Sequence, residues 1–220
     1  MVKSILILIS TGSLLFLNSI SEFSFKENLN STIMTDSLDQ EIIIDSDYSA
    51  ETALSGISIP DEIKRNLRLV NVNYYSFDNK LHSGQLVINK NLISDIKKIF
   101  STITEKKFPV AKVIPIIKYN WNDEESMEDN NTSAFNYRFI AGTKKLSNHS
   151  FGTAIDINPL FNPYIRKDLI QPSGAVYKPD RKGTITTNSF LVKEFKTLGW
   201  VWGGDWKDRK DYQHFEKVLK

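Results

Sequence analysis

The chain has 220 residues, 40% of them hydrophobic, which is enough for one sizeable core. Its formal charge of +2, with basic residues scattered among acidic ones, excludes the basic stripe of a nucleic-acid-binding surface. It contains no cysteine, which excludes disulfides, a thiolate nucleophile, iron–sulfur clusters and cysteine-based zinc sites, so any metal must be held by nitrogen and oxygen.

Met1-Val2-Lys3 precedes an apolar run from Ile5 to Leu17, interrupted only by Ser10 to Ser13, which is the charged start and short apolar stretch of a secretory signal. Residues 1–21 are therefore expected to be a signal peptide or an N-terminal membrane anchor. A buried helix is the weaker alternative, because no amphipathic period is visible. The expected location is secreted, periplasmic or tethered to the outside of a membrane, and the expected state is monomeric. Between Glu22 and Glu51 eight Asp or Glu stand against the single Lys26. Such a segment buries too little apolar surface to offset its ordering entropy, so residues 22–56 are expected to form an acidic flexible stalk in which only Ile42-Ile43-Ile44 could dock. Residues 57–220 are expected to be the folded domain.

Within that domain Asp61 and Glu62 suit the first turn of a short helix after Pro60. Leu69–Phe77 and Leu81–Ile88 are β-rich and flank Asp78-Asn79-Lys80, a hairpin pattern. Leu92, Ile93, Ile96, Ile99, Phe100 and Ile103 recur at helical spacing up to the break at Phe108-Pro109. Val110–Ile117 resembles a strand pushed toward a sheet edge by Pro115. Ser189–Leu198 reads as a helix with Ser189 as N-cap and Gly199 just past its end. The expected fold class is α+β, a small central antiparallel sheet flanked by helices.

His149 and Asp156 lie seven apart, wider than the three or four that place two ligands on one helix face. A turn must bring them together, and Gly152 supplies one. If Ala154–Asn158 is a strand, Asp156 points away from Ile155 and Ile157. A carboxylate buried among isoleucines needs a partner, and a metal ion is one. Asp211 and His214, three apart, point the same way in a helical or tight turn. Two histidines and one aspartate leave a fourth position open, as catalytic zinc sites do and structural ones do not. Asp211 then has two readings: it accepts the proton of the attacking water, or it orients His214 through a hydrogen bond. His82, in the hairpin, has no acid at ligand spacing and reads as an ordinary residue. Trp200, Trp202 and Trp206 read as core, with a cleft wall as the minority role. Asn148-His149-Ser150 and Asn131-Thr132-Ser133 read as chance matches to the glycosylation pattern.

Ser147-x-His149-x-x-Gly152-x-Ala154-x-Asp156 with Asp211-x-x-His214 resembles the bacterial zinc peptidases that cut peptidoglycan stem peptides. These are the D-alanyl-D-alanine carboxypeptidases and dipeptidases and the L-alanyl-D-glutamate endopeptidases of phage lysins. Ser133–Arg138, Asn158-Pro159 and Gly199–Trp206 extend the resemblance, which covers about residues 69–215. It implies a hedgehog/D,D-peptidase-like fold with zinc at the sheet, held by His149, Asp156 and His214, with Asp211 as catalytic base. It also implies that Arg138 stabilises the oxyanion or holds the substrate carbonyl, and that Ser147 helps bind substrate. Read by itself, Arg138 has a surface ion pair as its minority reading, and Ser147 equally suits a turn-forming hydroxyl. The dipeptidase branch has glutamate as its base, so Asp211 is similar to the endopeptidase branch. The expected partner is a peptidoglycan peptide, with a metal-stabilised binding module as the reading from another class.

Overall fold

The structure, a computed structural model, describes residues 41–219. The expected signal or anchor and the stalk as far as residue 40 lie outside the described residues. The first elements are short: β1 (Ile43–Ile44) and α1 (Ala50–Ala53), the latter capped by the Ser49 hydroxyl, which accepts from the Thr52 N–H at 3.1 Å. α2 (Asp61–Lys64) follows Pro60, with Asp61 and Glu62 in its first turn as expected. The long hairpin is next, β2 (Leu67–Tyr75) and β3 (Leu81–Asn89), paired antiparallel over nine residues. Its turn contains Asn79 at φ 61°, a left-handed conformation that asparagine tolerates better than most residues.

The docking allowed for Ile42-Ile43-Ile44 occurs as β1, and the structure of the stretch after it, with α1 at Ala50–Ala53, departs from the expected stalk. β1 pairs parallel with β3, Ile43 opposite His82 and Ile44 opposite Ser83, and residues 42–220 form one compact unit. An open edge of β3 offers unpaired N–H and C=O groups, and a β-branched segment satisfies them. Asp45 anchors the junction: its carboxylate accepts from the Tyr74 hydroxyl and meets His82 Nδ1 at 3.0 Å, while Asp78 meets His82 Nε2 at 3.2 Å. His82 is thus an 8% exposed imidazole between two carboxylates: Asp78, an acid four residues before it that the sequence reading passed over, and Asp45, brought from 37 residues away by β1.

α3 (Ile93–Glu105) lays Ile96, Ile99, Phe100 and Ile103 on the hairpin face formed by Val70, Val72, Tyr74, Leu86 and Ile88. Each such side chain, fully buried, contributes about 1.5–3 kcal/mol. The strand expected over 110–117 shrinks to β4 (Lys112–Val113), because Pro115 begins a 3₁₀ turn at Ile116–Tyr119. α4 (Asp123–Glu128) starts at the Asn122 cap, and β5 (Asn131–Thr132) pairs parallel with β4. The chain continues through β6 (Ala154–Asp156), β7 (Tyr164–Arg166) and β8 (Leu169–Gln171). α5 (Phe190–Thr197) is capped by Ser189, with Gly199 beyond it at φ 83°. β9 (Val201–Trp202), β10 (Lys210–Asp211) and β11 (His214–Glu216) complete the order.

The class is mixed α and β, yet among the described residues the single central sheet expected from the sequence is replaced by four small ones: β1-β3-β2, β10-β7-β8, β6-β11-β9 and β4-β5. Strands of two or three residues alternate with turns too often for one sheet to grow. The core joins them, since Phe195 of α5 stacks on Phe215 of β11 at 3.8 Å and Trp200 and Trp202 are buried beside them. Among the described residues no helix is long and apolar enough to cross a membrane.

Candidate metal centre

His149 stands in a 3₁₀ turn, Asn148–Phe151, whose N-cap is Ser147; the Ser147 hydroxyl accepts from the His149 N–H at 3.3 Å. The turn ends at Gly152, φ 61°, where a Cβ would lie 2.7 Å from the Asn89 backbone nitrogen. The left-handed conformation and the close approach of β3 both require glycine. Gly152→Ala is expected to destabilise the protein by about 1–3 kcal/mol, read as a lower thermal midpoint with metal absent.

Thr153 leads into β6, and β6 pairs antiparallel with β11 so that Asp156 and His214 face each other directly. Ile155 and Ile157 point to the other side, each 0% exposed, as the alternation in the sequence requires. The ligand-type atoms of His149, Asp156 and His214 all lie within 4.8 Å of one another, and the three residues are buried. His149 Nε2 is 3.2 Å from His214 Nδ1 and 3.2 Å from Asp156 Oδ2, and His214 Nδ1 is 2.9 Å from Asp156 Oδ1. Donors about 2.0–2.1 Å from a tetrahedral zinc are about 3.3 Å apart, so this donor set fits such an ion with little movement.

The far side of each imidazole supports the same conclusion. His149 Nδ1 donates to the Ala134 carbonyl at 2.6 Å, and His214 Nε2 to Glu216 Oε2 at 3.0 Å. With those nitrogens engaged outward, His149 Nε2 and His214 Nδ1 are the atoms turned to the common centre. Burial would push His214 down, but hydrogen bonds to Asp156 and Glu216 and the charges of Asp156 and Asp211 raise it to about 10. Burial would push Asp156 up, yet the charges and hydrogen bonds of His149 and His214 outweigh that and hold it far below the usual carboxylate range.

Asp211, at the end of β10 opposite Tyr164, is separated from His214 by Tyr212 and Gln213 rather than sharing a helical turn with it. Burial pushes its carboxyl up to about 7, the charges of His214 and His149 pull against this, and Asp156 adds to the rise. Asp211 and His214 both lie against Gly203, where an added Cβ would come within 2.7 Å of the Asp211 Cβ and 3.3 Å of the His214 Cβ. Oδ1 of Asp211 is buried and, among the described residues, has no hydrogen-bond partner. Both ring nitrogens of His214 are engaged by Asp156 and Glu216. Neither ring nitrogen of His214 therefore bonds to Asp211, whose carboxylate is met by the Gln213 side chain but keeps Oδ1 without a partner.

Arg138 lies outside the cluster. Its guanidinium meets Asp123 at 2.8 Å, and Asp123 also accepts from the Asn136 side chain at 3.0 Å. Its backbone is fastened to the metal-site turn: the Arg138 N–H donates to Ser150 Oγ at 2.9 Å, and the Ser147 N–H donates to the Arg138 carbonyl at 3.0 Å. The segment Ser133–Arg138 thus lies along the turn that carries His149 and supplies the Ala134 carbonyl beneath its ring. Trp200 and Trp202 are core, while Trp206 is half-buried with its ring 5.5 Å from that of His214. The sequence reading missed Glu216 and Asn148, whose amide donates to Glu216 Oε2 at 2.6 Å. A carboxylate two residues past His214 on a strand, hence on the same face, was the available signal for Glu216.

No solved structure matches the chain. The stretch 141–217, which contains all three residues of the cluster together with Asp211, Asn148 and Glu216 but not Arg138, matches a protein-family model, and the family is the one that the motif resembles: D-alanyl-D-alanine carboxypeptidase, a zinc peptidase family.

Proposed function

We propose that this protein is a zinc-dependent peptidase that hydrolyses peptidoglycan stem peptides, removing the terminal D-alanine as a D-alanyl-D-alanine carboxypeptidase. The observation that carries the reading is the buried His149–Asp156–His214 cluster beside a carboxylate, Asp211, with an oxygen that nothing else uses. A fold of the hedgehog/D,D-peptidase type goes with it, the sheet β6-β11-β9 carrying two of the three ligands. The apolar run of residues 5–17 supports a location outside the cytoplasm, where the substrate lies.

His149 Nε2, Asp156 and His214 Nδ1 would hold the zinc ion, which when bound polarises a carbonyl and lowers the pKa of water to about 7. Asp211 takes the proton of the attacking water and delivers it to the leaving nitrogen. Arg138, fixed by Asp123, supplies a permanent positive charge for the oxyanion or for a carboxylate of the peptide. Ser147 spends its lone pair on the His149 N–H and keeps its own proton to donate to a substrate carbonyl. Trp206 forms the wall beside His214 and helps to exclude water.

A second reading within the same chemistry, cleavage between L-alanine and D-glutamate, is favoured by aspartate rather than glutamate at position 211. Incubating the zinc-loaded protein with a defined stem pentapeptide and weighing the fragments separates the two. Loss of one terminal alanine supports the carboxypeptidase, and a cut after L-alanine supports the endopeptidase. An intact peptide contradicts both and leaves a zinc-stabilised binding module.

A further inference from the structure

Glu216 has no part in the chemistry above, yet it is half-buried against the cluster and its Oε2 accepts two hydrogen bonds at once. One comes from His214 Nε2 at 3.0 Å and the other from the Asn148 side-chain amide at 2.6 Å. His214 and Asn148 belong to different parts of the chain, β11 and the turn that also carries His149, and they are 66 residues apart in sequence. A single carboxylate oxygen therefore ties the two imidazole-bearing segments together on the side away from the common centre.

We infer that Glu216 is a positioning residue for the metal, resting on the reading of the cluster as a metal site, and that Asn148 extends its hold to the turn of His149. Three physical consequences support this. An anionic acceptor on Nε2 keeps a proton on that nitrogen, so Nδ1, which faces Asp156 and His149, is the nitrogen that yields its place to a cation. The charge makes the imidazole a stronger donor to a cation than a neutral acceptor would. The Asn148 amide holds the carboxylate in the one orientation that reaches His214, so the ring is fixed before a metal arrives. His149 is supported differently, by the neutral Ala134 carbonyl. The two histidines are therefore unequal, and His214 is the one whose ligand quality depends on a side chain.

The test is zinc affinity, measured by competition with a chromophoric chelator, on the full chain and on Glu216→Ala, Glu216→Gln, Asn148→Ala and the Glu216→Ala/Asn148→Ala pair. Loss of the carboxylate is expected to weaken zinc binding by about 10–100-fold, with Glu216→Gln, which keeps the shape without the charge, between that variant and the parent. Asn148→Ala is expected to weaken binding less, and the double variant to match Glu216→Ala alone, because Asn148 acts through Glu216. The visible spectrum of the cobalt-substituted protein should shift in the Glu216 variants, which a purely structural role would leave unchanged. Glu216→Ala or, should it not fold, Glu216→Gln binding zinc within about twofold of the parent would overturn this inference and leave the metal site standing. A parent protein that takes up no zinc would overturn both.

Discussion

Asp211→Asn is expected to lower kcat for stem-peptide hydrolysis by about 10²–10⁴-fold with zinc uptake unchanged. Asparagine has nearly the shape of aspartate, so the packing around β10 is kept, and the hydrogen bonds that hold the cluster do not run through Asp211: His214 is engaged by Asp156 and Glu216. What disappears is a buried carboxylate oxygen that, among the described residues, has no hydrogen-bond partner. Acid acts on the same group: as pH falls and Asp211 takes a proton, it can no longer accept one from water, so the rate falls on the acid side. Stability moves the opposite way in the metal-free protein. Burial raises the carboxyl from its ordinary 3.8 to about 7, so between those values the native state holds a proton that the unfolded chain has released. Raising pH through that window therefore costs stability, and metal-free Asp211→Asn should be more stable than the parent at about pH 8 but not below about pH 4. A measured loss of both zinc and activity in Asp211→Asn would return Asp211 to a supporting role.

Removing the metal, or its aspartate, should have the other large effect. Chelation is expected to abolish activity and zinc to restore it. At free zinc about 100 times its dissociation constant, the ion adds about 2.7 kcal/mol to stability, a rise in midpoint of roughly 5–10 °C for a unit of this size. Asp156→Ala should not be rescued by zinc at all. It removes one ligand and also strips the buried His214 of the carboxylate 2.9 Å from its Nδ1, leaving Glu216 as its remaining carboxylate partner, and losing a hydrogen bond to a charged group costs about 1.5–3 kcal/mol. The metal-free variant should therefore unfold at lower temperature than the metal-free parent, most clearly at neutral pH, where the parent's His214 is protonated. Circular dichroism melts with and without zinc, on both proteins, check each part.

The residues whose meaning is local were readable in the sequence. The hairpin follows from two alternating β-rich runs about a turn with Asn79 at positive φ, and α3 follows from Ile96, Ile99 and Ile103 at helical spacing. His149 and Asp156 were legible because a glycine turn and a strand alternation join them over a few residues. What escaped depends on chain brought from far away. Ile42-Ile43-Ile44 could be read as a docking run, but residues 45–56 look like a stalk because nothing near them in sequence shows that β3 has an open edge beside them, or that Tyr74 and His82 meet the Asp45 carboxylate. β4 stops at two residues because its partner, β5, is equally short and Pro115 turns the chain. Asp211 and His214 were expected in one turn, whereas they end and begin separate strands in different sheets. The support of His214 by Glu216 needed a rule about what metal-binding histidines lean on, applied at a spacing of two.

The most direct test of the metal centre is anomalous scattering from a crystal of the zinc-loaded protein, with data on both sides of the zinc absorption edge. A single peak within about 2.0–2.2 Å of His149 Nε2, His214 Nδ1 and an Asp156 oxygen is the predicted result. A fully loaded crystal whose zinc peak lies elsewhere, with those three side chains still joined only to one another, would contradict it.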